Sequence, residues 1–341
     1  VSSKQPLPEQ FRAIAPGRVN LIGDHTDYMG GLALPMAINL ATTITASRGG
    51  SRIELTSEQL EGTLDLPLPA SNAHLASPSW GRYVAGVAAE LGSRLGFVGR
   101  VSSTLPLGSG LSSSAALEVA TALALGDSGS PFEIAVRCQR AEQLASGVPC
   151  GIMDQLAITS ATLGNAMLIN FSDNSVTNVA IPEEAQFWVI HCGQERKLVG
   201  SAYGERRAQA EAAAALLGPL PQADMISINA LADPLLRRRA RHVQSECERV
   251  KEFAAALANS ELDQCGRLML QSHASLRDDY EVSTPTLNSL VMQLCTTPGV
   301  FGARVTGAGF GGCVVALADP EVELEGWRVS PSAGARVEWL S

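Results

Sequence analysis

The chain has 341 residues, 45% of them hydrophobic and 17% charged, enough to bury ordinary cores and long for a single compact domain. A net charge of −9 excludes an extended nucleic-acid surface, which depends on clustered Lys and Arg. No apolar run approaches the ~18 residues of a membrane span, and the polar residues 1–8 lack the apolar core of a signal peptide, so a cytoplasmic protein without membrane or nucleic-acid partners is expected.

Residues 37–47 (AINLATTITAS) are rich in β-branched side chains and predict a strand. Helical spacing of apolar residues predicts a helix over 80–95, followed by a strand near 97–105. An Ala/Leu-rich helix is predicted at 114–125, and another opens at Pro131 with Ser130 as N-cap and runs to about 145. Buried strands are expected at 167–171 and 187–191. The second half is more helical (201–217, 237–257, 262–276) and ends in two short apolar strands, 303–306 and 313–318, around a glycine-rich turn. The polar stretch 172–178, leading to Pro182, suggests domains of 1–180 and 181–341. Helices and strands mix without strict alternation, an α+β pattern. The run Arg237, Arg238, Arg239 and Arg241 reads as a solvated helix face.

Seven scattered cysteines form no CxxC pair, and most read as small buried apolar groups rather than disulfide partners. The histidines show no ligand spacing for a structural transition metal.

Four stretches concentrate polar chemistry. Residues 17–28 (GRVNLIGDHTDY) bring Arg18, Asp24, His25 and Asp27 close together. Such a cluster can hold the hydroxyls of a small polyol, or it can be a solvated turn. Residues 106–116 (PLGSGLSSSAA) place Gly108, Gly110 and three serines at the start of a helix. That is either a phosphate cradle, with free N–H groups at the helix end, or a serine-rich cap. It is not a GxxxxGK[ST] loop, and Ser113 occupies the third glycine position of a dinucleotide fingerprint. Residues 306–313 (TGAGFGGC) match GxGxxG but lead into a strand, so they read as a tight strand-to-strand turn. In 149–156 (PCGIMDQL) Asp154 stands among apolar residues beside Gly151, which would leave room for a ligand. A carboxylate there needs a partner, and Arg18 is a candidate; a capping or paired structural Asp is the alternative.

Together, and in this order, the four stretches resemble the GHMP small-molecule kinases, and within them the galactokinase group. The similarity extends to residues 198–209 (LVGSAYGERRAQ) and 272–281 (SHASLRDDYE). The resemblance implies a two-domain α+β fold, with a ribosomal protein S5 domain 2-like N-terminal domain, a ferredoxin-like C-terminal domain and the active site in the cleft between them. It implies a monomer that uses ATP and Mg²⁺ to phosphorylate the anomeric hydroxyl of α-D-galactose. By position, Arg18 and Asp154 fall on the catalytic pair, and Asp24, His25, Asp27, Gly151, Asp154 and Tyr203 on sugar ligands. Gly108, Ser109, Gly110, Leu111, Ser112, Ser113 and Ser114 fall on the loop that wraps the ATP phosphates, Trp80 near the adenine, and Ser113 and Glu142 on the magnesium ligands.

Phosphoryl transfer depends mainly on positioning and charge stabilisation. A permanently charged Arg18 suits that task, and Asp154 is either a base or an orienting charge. The sequence departs from the family pattern in having Asp24 where Glu is usual and Ala308 where Gly is commoner. It also looks trimmed around 50–75, around 126–131 and towards the C-terminus, where surface loops are expected. Alternatives are a related kinase for N-acetylgalactosamine or L-arabinose, decided by the pocket at Asp24, Asp27 and Tyr203, and a non-catalytic sugar sensor. Sensors lose parts of the serine loop or the catalytic pair, both of which are intact here.

Overall fold

The computed structural model describes residues 10–147, 150–194 and 199–340; the reading of residues 1–8, and Pro149 and Leu198 within the motifs, lie outside the described residues. In chain order the strands are β1 (Gln10–Asn20), β2 (Leu32–Ala33), β3 (Pro35–Arg48), β4 (Arg52–Ser57), β5 (Thr63–Pro67), β6 (Phe97–Ser103), β7 (Asn165–Asn170), β8 (Ser175–Ala180), β9 (Gln186–His191), β10 (Val300–Thr306), β11 (Cys313–Ala318), β12 (Trp327–Val329) and β13 (Arg336–Leu340). The helices are α1 (Gly81–Glu90), α2 (Ser113–Ala124), α3 (Pro131–Ser146), α4 (Met153–Ser160), α5 (Val199–Leu217), α6 (Met225–Ala230), α7 (Pro234–Ala258), α8 (Leu262–Asp278) and α9 (Pro285–Cys295).

The first sheet has the order β13-β1-β3-β6-β4-β5, antiparallel except for the parallel pair β4–β6. Alternate residues of β1 (Phe11, Ala13, Ala15) point into a core shared with Ile44, Phe97 and α2. Helix α2 is buried almost all round, and its alanines (Ala115, Ala116, Ala120, Ala122) are what let it lie close to the sheet. Helix α3 starts with a capping box between Ser130 and Glu133, as its sequence predicts.

The second sheet, β10-β11-β9-β12, is antiparallel. Every residue of β11 is buried, which fits a strand covered on both faces; α8 and α9 pack on β10. A small third sheet, β2-β7-β8, joins Leu32–Ala33 to the middle of the chain. Two findings blur a division at residue 180. Strand β13 returns to pair with β1, Gln10 opposite Leu340, and the first core continues through Phe187, Val189, Phe253 and Val315.

Within the stretch 50–75, β4 and β5 extend the main sheet. Two expectations change. The polar stretch 172–178 contains the start of β8. The arginine run is not a solvated face: Arg239 is 1% exposed and donates to Gln209 Oε1 (2.7 Å), the Asp279 carbonyl (2.5 Å) and Glu281 Oε2 (2.6 Å). Arg241 pairs with Asp279, and Arg238 with Glu281. These pairs tie α7 to the end of α8. The cysteines are free thiols, four of them buried. No helix among the described residues is long and apolar enough to cross a membrane.

Candidate active site

Arg18 lies near the end of β1, just past an irregularity in the β1–β3 register between Pro16 and Arg18. Gly17 allows the glycine–serine loop to press against the strand. A Cβ there would run into Leu105 and the Leu111 carbonyl, and the Arg18 N–H donates to that carbonyl at 3.2 Å. Each guanidinium nitrogen has a partner: Nε and Nη2 donate to Asp154 Oδ1 (2.8 and 2.6 Å), and Nη1 donates to the Gly110 carbonyl (2.9 Å). Asp154 sits in the first turn of α4, and its Oδ2 accepts the Ser112 hydroxyl at 2.5 Å. Arg18 is therefore the partner that Asp154 requires, although Asp154 keeps 29% of its side chain exposed against 7% for Arg18.

The loop takes left-handed backbone at Gly108, Gly110 and Ser112; at Ser112 a non-glycine residue accepts that conformation, and its side chain is held on Asp154. Helix α2 opens at Ser113, and its free N–H groups supply an anion site. A cavity of about 640 Å³ is lined by Arg18, Gly108, Gly110, Ser112, Ser113, Ser114, Glu142, Asp154, Leu107 and His191. Ser109 and Leu111 do not line it with side chains. Ser109 is buried and donates to the Pro106 carbonyl (2.7 Å), and Leu111 is in the core, so both serve the loop from behind. A second, more apolar cavity of about 250 Å³ adjoins it through Leu107, Ser113 and Ser114; Trp80, Tyr83, Val101 and Leu117 form its walls. Trp80 is fixed there by donation from Nε1 to the Glu61 carbonyl (3.2 Å).

Glu142, on α3, accepts from Ser114 Oγ (3.2 Å) and Gln155 Nε2 (2.6 Å). Burial, and then the Asp154 charge, raise its carboxyl above the usual range. Behind it Gln155 Nε2 also donates to Glu118 (3.0 Å), whose complete burial pushes its carboxyl well up.

On the side of residues 17–28, the Cβ position of Gly151 is not left for a ligand: a Cβ there would overlap the Asp27 carboxylate. Burial, followed by repulsion from Asp154 and Asp24, holds Asp27 up at about 6. His25 Nε2 faces the Ala308 carbonyl at 3.2 Å, which can only accept, so Nε2 carries the proton. Nδ1 then accepts from Tyr28 OH (2.9 Å), and Tyr28 accepts from Tyr280 OH (2.8 Å). Burial lowers the His25 pKa to about 3, which keeps the ring neutral. The Tyr203 ring lies 5.5 Å from both His25 and Tyr28, which places it in one cluster with those two rings.

Asp24 is placed differently. It is buried, with Oδ2 against Arg304 Nη2 (2.5 Å) and Oδ1 accepting the Gly307 N–H (2.9 Å). Its carboxylate is committed to protein partners and braces the third motif instead of facing an open pocket. That motif is a strand-to-strand turn, as read: Gly309 has a left-handed φ and a Cβ there would strike the Val282 carbonyl. Sequence reasoning missed Arg304, Glu118, Gln155 and His191. The first three stand inside apolar runs, and a lone charge or amide in such a run was the available signal; for His191 there was none.

A family model described as the galactokinase galactose-binding signature matches residues 3–48, and models for the GHMP kinases N terminal domain and GHMP kinases C terminal match 82–162 and 253–326. Galactokinase of Bos taurus is 45% identical over 325 residues, 89% of this chain and 82% of the bovine one. The crystal structure of Lactococcus lactis galactokinase complexed with galactose superposes with TM-score 0.89 at 29% identity, covering 96% of this chain and 95% of that one. Methanococcus jannaschii mevalonate kinase shares the fold, with TM-score 0.68 at 23% identity over 91% of each chain. The fold and the loop-lined cleft define a kinase of the GHMP class. Within that class, the chain belongs to the galactokinase family.

Proposed function

We propose that the protein transfers the γ-phosphoryl group of ATP to the anomeric hydroxyl of α-D-galactose, giving α-D-galactose 1-phosphate and ADP. The observation that carries this reading is the Arg18–Asp154–Ser112 cluster, which lines the phosphate cavity and is joined through Gly151 to Asp27. A carboxylate offers about four acceptor positions. Arg18 takes both on Oδ1 and Ser112 takes one on Oδ2, which leaves one position on Oδ2 for the sugar hydroxyl. Asp154 thus orients that hydroxyl towards the phosphorus and can take its proton as the bond forms. Arg18 keeps its charge beside the developing negative oxygens. The serine loop and the start of α2 hold the phosphate chain, and the cavity walled by Trp80 suits the adenine.

Asp27 and Tyr203 are the proposed sugar ligands, with Gly151 shaping that side; His25 and Asp24 form the wall behind them. Ser113 and Glu142 line one cavity and offer the hard oxygen donors that Mg²⁺ prefers, with phosphates and water completing the shell. When bound, the ion would neutralise phosphate charge. We take the working form to be a cytoplasmic monomer.

The test is ATP consumption by the purified protein across a monosaccharide panel, with the phosphorylated position assigned by NMR. Galactose should stimulate ADP release far above N-acetylgalactosamine and L-arabinose. A tenfold preference in kcat/KM for another sugar would overturn the substrate and leave the class; binding without turnover for every sugar would point to a sensor.

A further inference from the structure

His191 closes the phosphate cavity and has no part in the chemistry above. It ends β9, directly opposite Cys313 at the start of β11, and the next residue, Cys192, donates its N–H to the Gly312 carbonyl at 2.9 Å. The imidazole therefore stands on the second sheet, whereas the glycine–serine loop and α2 stand on the first.

The ring's proton can be placed. The Gly193 backbone N–H lies 3.1 Å from His191 Nδ1, and a backbone N–H can only donate. Nδ1 must then be the acceptor, and the neutral ring carries its proton on Nε2. Among the described residues no hydrogen bond occupies Nε2, and the residue lines the cavity that holds Arg18, Glu142 and Asp154.

The charge inventory gives that donor a task. Among the described lining residues, Arg18 is the one permanent cation against two carboxylates, Asp154 and Glu142, and all three of its nitrogens already have protein acceptors. Donors for a polyphosphate are concentrated on the loop side, in serine hydroxyls and backbone N–H groups. The opposite wall offers His191.

We propose that His191 is a nucleotide ligand whose Nε2–H donates to an oxygen of the terminal phosphoryl group of ATP. The terminal group is favoured because His191 shares the cavity with Arg18 and Asp154, where transfer takes place. This rests on the kinase reading above and adds a residue to its nucleotide side.

The experiment compares His191→Ala and His191→Gln with the unaltered protein, using calorimetry with a non-hydrolysable ATP analogue and with ADP, both in magnesium. Loss of one hydrogen bond to a charged group should weaken analogue binding about tenfold in His191→Ala. ADP should stay within about twofold, ATP KM should rise in parallel, and galactose KM should not move. Gln can present an N–H near the position of Nε2 and should restore most of the affinity. Analogue binding within twofold in His191→Ala would overturn the proposal. So would equal weakening of ADP, or a His191→Gln variant as impaired as His191→Ala. The unaltered protein separates the two ideas: if no sugar stimulates its turnover while the binding pattern holds, the kinase reading fails and the ligand assignment stands.

Discussion

The Asp27 carboxylate rests against the Cα of Gly151, so closely that a single added carbon would overlap it. This contact sets the distance between Asp27 and Asp154, three residues beyond Gly151. Gly151 has no left-handed φ, so Ala is tolerated by the backbone there and the clash is purely with Asp27. Gly151→Ala should raise galactose KM at least about tenfold, the scale of one lost charge-assisted hydrogen bond, and leave ATP KM near its original value. Steady-state kinetics with each substrate varied checks this; unchanged galactose KM would show that Asp27 does not hold the sugar.

Asp154→Asn keeps the shape of the side chain and an acceptor for Arg18, but it can neither take a proton nor balance the guanidinium. Turnover should fall roughly 10² to 10⁴-fold. The pairing with a nearly buried Arg18 predicts a lower Tm as well. Measuring kcat, galactose binding and Tm on one preparation tests both, and turnover within a fewfold of the original would remove Asp154 from the chemical step.

Burial, and then the neighbouring Asp154 carboxylate, hold the Asp27 carboxyl up at about 6, above the ordinary carboxylate range. A raised carboxyl favours the fold only while protonated. Its contribution is complete below the unfolded pKa and lost as pH rises through the folded one. Asp27→Asn should therefore be more stable than the unaltered protein above about pH 6, by up to about 3 kcal/mol, with the gap closing towards about pH 4. Denaturant melts across that range read it directly, and a gap independent of pH would refute the titration.

Asp24 supports folding more than affinity. Asp24→Ala leaves the fully buried Arg304 with Glu246, 3.6 Å away, as its remaining carboxylate. Stability should drop by about 3–5 kcal/mol, the usual result of orphaning one side of a buried pair. Differential scanning calorimetry checks it; a melt matching the unaltered protein would mean that Arg304 is satisfied elsewhere.

Much of this was legible in the sequence, because helix caps, alanine-rich buried helices and glycine turns are written in local residue types. Ser130, Pro131 and the serine loop are examples. The Arg18–Asp154 contact, 136 residues apart in sequence, was reachable because a lone carboxylate demanded a partner. What stayed hidden depends on three-dimensional neighbours. Four close arginines read as solvent-facing until residues just past α8 supply acceptors for Arg238, Arg239 and Arg241, and the Leu231 carbonyl one for Arg237. Strands β4 (RIELTS) and β5 (TLDLP) alternate polar and apolar residues, a half-buried strand signal that is short and easily passed over in a polar stretch. Asp24 looks like any ligand in a polar motif until Arg304, 280 residues later, arrives beside it.

The pairing of β13 with β1 also has a consequence in time. A ribosome releases residues 10–20 more than 300 residues before their outer neighbour, residues 336–340, and the two strands must then meet across that loop. The entropic cost of closing so long a loop grows only slowly with length, so length alone adds little to the cost of this pairing, which must wait until residues 336–340 are made. Until then β1, the strand that carries Arg18, presents a bare edge of unpaired N–H and C=O groups to other nascent chains. Residues 336–340 are the ones that cover it.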